Sequence, residues 1–183
     1  NSYSNFIKLL IKANADINLQ NYDGESPLHK ATSRGNTEIA EILIGTNASI
    51  NLQDRDGKSA LHTAAIFRRT EIIELLTEAN ANVNLQDTHG RSPLHFADTD
   101  GTKILIGANA NVNLQENFGG SPLYQAAEQG KTEIAEMLIG ANASVNLQNS
   151  LGFSPLHIAA LLVRTEIVML LIGANVNVNL QSY

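Results

Sequence analysis

The tetrapeptide Ser26-Pro27-Leu28-His29 returns as Ser59-Ala60-Leu61-His62, Ser92-Pro93-Leu94-His95, Ser121-Pro122-Leu123-Tyr124 and Ser154-Pro155-Leu156-His157. Its serines lie 33, 33, 29 and 33 residues apart. A period of this size marks a solenoid, in which each repeat is a small supersecondary unit stacked on its neighbours. The core of such a chain runs along the stack, and no central pocket is expected.

The periodicity frames one array over residues 1–183 with no second domain: a half repeat at 1–20 and repeats at 21–53, 54–86, 87–115, 116–148 and 149–181. Residues 4–20 align with the second half of the next unit, and the chain stops where another unit would begin. The expectation is a segment of a longer protein.

Each unit reads turn, helix, turn, helix, extended arm. Ser26 before Pro27 places a hydroxyl at an N-cap and a proline at N1, where its missing N–H costs nothing. Leu28 and Ala31 share one helix face, and Gly35 ends that helix. Thr37 is expected to cap a second helix with Glu38 in its first turn and Ile39, Ile42, Leu43 and Ile44 as its apolar stripe. Asn14, Asn47, Asn80, Asn109, Asn142 and Asn175 recur at the next turn, where a left-handed residue is needed and Asn is tolerated after Gly. Ile50-Asn51-Leu52-Gln53 alternates in the manner of an extended arm leading into the turn Asp54-Arg55-Asp56-Gly57, which together predict a hairpin-like finger. A lone unit buries too few apolar side chains to offset about 1–2 kcal/mol of backbone entropy per residue, so stability must come from stacking.

These residues resemble the ankyrin repeat: Gly24-x-Ser26-Pro27-Leu28-His29-x-Ala31, then Ile39-x-x-Ile42-Leu43, then Asn47-Ala48-x-Ile50-Asn51, recurring in register across residues 4–181. Ser replaces the family's Thr, Asn its usual Gly at the second helix end, and Ala60 and Tyr124 each break one signature. The resemblance implies an all-α solenoid of stacked helix-turn-helix pairs with β-hairpin-like fingers. It also implies that the repeated histidine hydrogen-bonds the neighbouring turn.

The third unit is four residues short. After Ala97-Asp98-Thr99-Asp100-Gly101 the chain proceeds to Thr102-Lys103-Ile104, omitting what elsewhere reads like Asn36-Thr37-Glu38-Ile39. Four residues are about one helical turn, so the expectation is a second helix shortened at its start.

A net charge of −6 argues against binding nucleic acid, which needs clustered Lys and Arg. The absence of cysteine excludes disulfides and thiolate chemistry and fits a cytoplasmic or other intracellular setting, the host cytosol for a secreted effector. No apolar run approaches the roughly 20 residues of a membrane span, so no membrane insertion is expected. The histidines, one per unit, are too far apart to share a metal at bond lengths of about 2 Å. The serines are caps with no nucleophile-elbow motif around them. No catalytic residue, metal or cofactor is expected, and the chain is read as not an enzyme.

Positions that vary between copies carry the functional reading. At the finger tips these include Tyr22, Glu25, Arg55, Lys58, His89, Arg91, Phe118, Leu151 and Phe153; at the exposed ends of first helices they include Ile66, Phe67, Leu161 and Leu162. In ankyrin-like arrays the two strips line the concave face, which implies a monomeric, non-catalytic protein-binding module or scaffold. The alternatives are a recruiting segment of a larger enzyme or effector, and a structural spacer. Charge dominates the first units and apolar side chains the last, where exposed aromatic and aliphatic groups suggest a contact surface or a face meant for a further repeat.

Overall fold

The computed structural model describes residues 2–182, with side chains from Ser4 onward. Among these residues it is helical throughout, in two parallel rows. The first row holds α2 (Pro27–Ser33), α4 (Ala60–Ile66), a 3-10 turn (Pro93–His95), α7 (Pro122–Gln129) and α9 (Pro155–Leu161). The second row holds α1 (Ser2–Lys12), α3 (Thr37–Gly45), α5 (Thr70–Glu78), α6 (Thr99–Gly107), α8 (Thr132–Gly140) and α10 (Thr165–Gly173). Helices pack both within a pair and on the like helix of the next pair. One continuous core results, with Leu28, Leu61, Leu94 and Leu123 in the first row and Leu43, Leu76, Leu105, Leu138 and Leu171 in the second.

First-row helices start as the sequence dictates, with histidine completing the cap. The Ser26 N–H donates to His29 Nδ1 at 3.2 Å, while Ser26 Oγ accepts from the His29 N–H at 3.5 Å. This is a capping box in which an imidazole does what Glu or Gln usually does. The same box recurs at Ser59–His62 and Ser154–His157.

The second helices correct one expectation. Asn36, not Thr37, is the N-cap of α3, its Oδ1 accepting from the Ile39 N–H at 3.2 Å. Asp98 does the same for α6 at 3.0 Å. Thr37 is the first helical residue, and its freed hydroxyl donates to Glu71 of the next pair at 3.0 Å. Thr99 reaches Glu133 at 3.3 Å and Thr132 reaches Glu166 at 3.2 Å, so the threonines tie one pair to the next.

Second helices end on asparagine. Asn14, Asn47, Asn80, Asn109, Asn142 and Asn175 all have positive φ. Around Asn47, the Ala48 N–H reaches Leu43 O at 3.0 Å and the Asn47 N–H reaches Ile44 O at 3.3 Å, the paired bonds of a Schellman stop. The arm beyond is less extended than its alternation suggests, because the Leu52 N–H folds back onto Ser49 O at 3.1 Å. The fingers are turns closed by bonds such as Asp54 N–H to Lys58 O at 2.9 Å. No named strand forms among the described residues; Gln53 and Ser59 make an isolated antiparallel bridge.

The short third unit contradicts its expected form. Its second helix, α6, has nine residues, as many as α3, α5, α8 and α10. The loss falls on the first helix, reduced to the 3-10 turn Pro93–His95. Aligned on the caps Asn36 and Asp98, the missing residues correspond to Thr32-Ser33-Arg34-Gly35: one helical turn and the following left-handed loop. Ile104 and Leu105 still pack into the core. Gly101 stands where α3, α5, α8 and α10 carry Ile39, Ile72, Ile134 and Ile167, and a Cβ there would lie 3.1 Å from Ile73 Cδ1. With the preceding turn gone, Ile73 fills the space that an isoleucine would take.

Candidate partner-binding surface

The surface is built from fingers joined edge to edge. The Arg55 N–H donates to Asp23 O at 3.0 Å, Thr88 to Asp56 at 2.9 Å, Asn117 to His89 at 2.9 Å and Ser150 to Phe118 at 2.8 Å. Beneath this ladder each glutamine reaches the next finger: Gln53 Nε2 donates to Gln86 O at 3.0 Å and Gln115 Nε2 to Gln148 O at 2.9 Å. Glycine is required at the tip. Gly57 has φ +77, and a Cβ on it would stand 2.7 Å from Thr88 N.

A second ladder was not read from the sequence. Asn18 Oδ1 accepts from the Ser49 N–H at 2.7 Å, Asn51 from Asn82 at 2.8 Å, Asn113 from Ser144 at 2.7 Å and Asn146 from Asn177 at 2.8 Å. Two arginines add clamps on the loop side: Arg69 lies over Gly35 and donates to Ser33 O at 3.1 Å, and Arg164 lies over Gly130 and donates to Glu128 O at 3.2 Å. The signal was present, since the Asn-x-Gln arm is repeated in every unit, but propensity reasoning gives it no partner.

Between the first two complete units, fingers and helix ends enclose a groove of about 640 Å³. Glu25, Arg55, Lys58, Ile66 and Phe67 line it together with Asp23, Lys30, Ser33, Asp54, Asp56 and Thr63. Lys30 pairs with Glu25, and Lys58 with Asp56 at 2.7 Å. Tyr22 is 89% exposed on the first finger but does not line the groove.

The third unit turns one of its two candidates inward. Arg91 donates to the buried Asp87 carboxylate at 2.9 and 3.0 Å and stacks 4.7 Å over the Phe96 ring. Its guanidinium is thereby committed to the scaffold. His89 remains exposed on the tip, its Nδ1 3.4 Å from Arg91.

At the far end Phe118 is 74% exposed and Leu151 65% exposed, on fingers joined by the Phe118–Ser150 backbone bond. Phe153 is half-buried, edge-on to His157 with ring centroids 5.9 Å apart. Leu161 and Leu162 are exposed at the end of α9. Their counterparts Ser33 and Arg34, and Glu128 and Gln129, also reach solvent although a complete helix pair follows each. The exposure of Leu161 and Leu162 is therefore intrinsic to the groove side. Ile172 and Val178 differ, because Ile139 and Val145 at their positions pack against the core. The apolar surface of the last unit is thus two surfaces, one facing the groove and one of stacking type.

His29, His62 and His95 are structural on both edges. His29 Nε2 lies 3.0 Å from Lys58 O, His62 Nε2 3.0 Å from Arg91 O and His95 Nε2 3.4 Å from Gly120 O. A carbonyl only accepts, so Nε2 carries the proton and Nδ1 is the acceptor for the capping serine. Burial holds the His62 and His95 imidazoles below their ordinary range. Ser26 Oγ is 2.9 Å from His29 Nδ1, but the serine is buried and the histidine's other nitrogen is engaged, an arrangement that holds a helix in place and does not deliver a nucleophile. Among the described residues no group of three His, Cys, Asp or Glu is placed to hold a metal ion, and no helix is long and apolar enough to cross a membrane.

Comparison with known proteins agrees with this geometry. No curated protein matches the chain. The family model described as ankyrin repeats (3 copies) matches at residues 1–87, 48–100 and 95–182, the last two matches overlapping within the shortened unit. Together these matches run from one end of the described array to the other, and the chain belongs to the ankyrin-repeat family.

Proposed function

We propose that this array is a non-catalytic recognition module that holds a protein partner along its finger tips and the exposed ends of its first helices. Ankyrin repeats are in general protein–protein interaction modules and typically non-catalytic. The observation that carries the reading is the division of labour among positions. Caps, ladders and core recur from unit to unit, whereas the side chains facing the groove change from charged at Glu25, Arg55 and Lys58 to apolar at Leu151, Phe153 and Leu161. The mechanism is preorganisation: the backbone ladder, glutamines and arginine clamps fix the fingers before a partner arrives, so association costs little ordering on this side. A standard interface of about 800 Å² per partner spans two to three units. A single copy presents the complete surface.

The test is affinity capture from a native lysate with the parent chain, a folded Phe118→Ser/Leu151→Ser/Phe153→Ser variant, and a control changed on the outer row at Glu136→Ser. Protein retained by parent and control but lost by the triple variant supports the reading. Equal capture by all three would move recognition off this face, and a spacer role would follow if none captured anything.

A further inference from the structure

The two ends of the recognition surface have different chemistry, and the second end specifies a partner more narrowly. The groove between the first two complete units carries seven charged side chains: Asp23, Glu25, Lys30, Asp54, Arg55, Asp56 and Lys58. The same repeat positions between α7 and α9 read Phe118, Gly120, Gln125, Asn149, Ser150, Leu151 and Phe153. Glu128 is the one charged residue there, at the position of Ser33, and Leu161 and Leu162 replace Ile66 and Phe67.

The charge that remains is acidic. Tyr124 stands at the repeat position of the capping histidines and feels both Glu128 and Glu116. Burial first, and then the Glu128 carboxylate, push its phenol above the ordinary range. Glu116 is held in place by the N–H groups of Phe118 at 3.0 Å and Gly120 at 2.8 Å. The nearest cation of the following unit, Arg164, spends its guanidinium on the Glu128 backbone carbonyl and lies over Gly130, on the loop side. The Glu128 carboxylate thus borders a shelf formed by Phe118, Leu151, Leu161 and Leu162, while the Glu116 carboxylate is bound into its own finger turn.

We infer that this end of the array docks an amphipathic helix of a partner protein whose apolar side chains lie on the Phe118–Leu151–Leu161–Leu162 shelf and whose Lys or Arg side chains face Glu128. The inference rests on the recognition reading above. Apolar anchors supply the affinity and the Glu128 carboxylate selects the sign of the flanking charge, because charge at an interface chiefly decides orientation and partner choice. A chain with 18 acidic and 12 basic residues favours the approach of such a segment.

The experiment uses two synthetic helical peptides of about 18 residues, which span about five turns, one built of Leu and Lys and the other of Leu and Glu. Binding to the full chain is read by fluorescence anisotropy at two salt concentrations, with circular dichroism confirming that each variant is folded. The Leu/Lys peptide is expected to bind about tenfold or more tightly than Leu/Glu. Glu128→Gln should weaken it by about two- to fivefold, and Leu151→Ser with Leu161→Ser by about tenfold. Glu136→Gln, on the exposed face of α8 away from the fingers, should leave it unchanged. Equal binding of the two peptides, still lost in the leucine variant, overturns the charge selection while leaving recognition by this face intact. Indifference to the leucine variant, or an equal loss in Glu136→Gln, shows only general attraction and overturns the docking site itself.

Discussion

The His62 Nε2–H donates to the Arg91 carbonyl 3.0 Å away in the next repeat, while His62 Nδ1 accepts from the Ser59 N–H at 3.1 Å. One neutral ring therefore bolts a helix cap to the neighbouring finger. A proton on Nδ1 would set two donors against each other.

Acid should loosen the array at these bolts. Burial keeps the folded His62 and His95 below the ordinary value of 6.5, so near that pH the unfolded chain binds more protons than the folded one. Their contribution is fully present above about pH 6.5 and is lost as pH falls through that value toward the depressed folded one. Urea midpoints measured from pH 8 to pH 5 are expected to decline below about pH 6.5, and His62→Gln should flatten the decline. A midpoint constant down to pH 5 in the parent chain would contradict this.

Val163 and Arg68 occupy the left-handed loop position at φ 55 and φ 53, where Gly35 and Gly130 sit at φ 67 and φ 71. A β-branched residue is strained there by about 1–2 kcal/mol. Val163→Gly is expected to stabilise the chain by about 1 kcal/mol in chemical denaturation, with Arg68→Gly following more weakly. Destabilisation by either would show that the side chain is held by contacts worth more than the strain.

The Thr102 hydroxyl is fully buried in α6 with no hydrogen-bond partner, at the position held by Ala40, Ile73, Ala135 and Val168 in the other second helices. Thr102→Val keeps the shape and removes the orphan group. It should raise stability by about 1–2 kcal/mol, read as a higher denaturation midpoint at an unchanged denaturant slope.

Inserting Thr-Ser-Arg-Gly between Ala97 and Asp98 should turn the Pro93–His95 turn into a two-turn helix like α2. The helical circular dichroism signal should rise, and amide exchange around Ala97 should slow by about tenfold. Loss of folding on insertion would mean that Ile73 and Gly101 have repacked too completely around the shorter connection.

Much of this was legible in the sequence because repetition averages away local ambiguity. Ser26, Pro27 and Asn47 each have one good local use, and four to six copies say so together. Thr37 misled because Thr caps well in isolation, whereas Asn36 just before it holds the cap position, its Oδ1 accepting from the Ile39 N–H, and leaves the Thr37 hydroxyl for Glu71. The missing turn was placed on the wrong helix because Asp98-Thr99-Asp100 was not matched to Asn36-Thr37-Glu38, although each sets a capping Asp or Asn before Thr and an acidic residue. Arg91 looked like a free finger-tip cation. Its commitment to Asp87 and Phe96 depends on the turn folding back, which spacing alone does not reveal. Which groove residues meet is a property of stacking, so Glu25 and Phe67, 42 residues apart, became neighbours only in three dimensions.

The shortened third unit also sets how the molecule responds to load. Its second helix keeps the outer row continuous from α5 through α6 to α8, but the inner row thins to three residues, and the contact of Pro93–His95 with α7 is far slighter than that of α9. A wall with one thin course on one side bends at that course and toward that side. The spacing between the charged groove and the apolar shelf is thus governed at Pro93–His95, so a partner that grips both would feel the elasticity of this one turn before that of any other part of the stack.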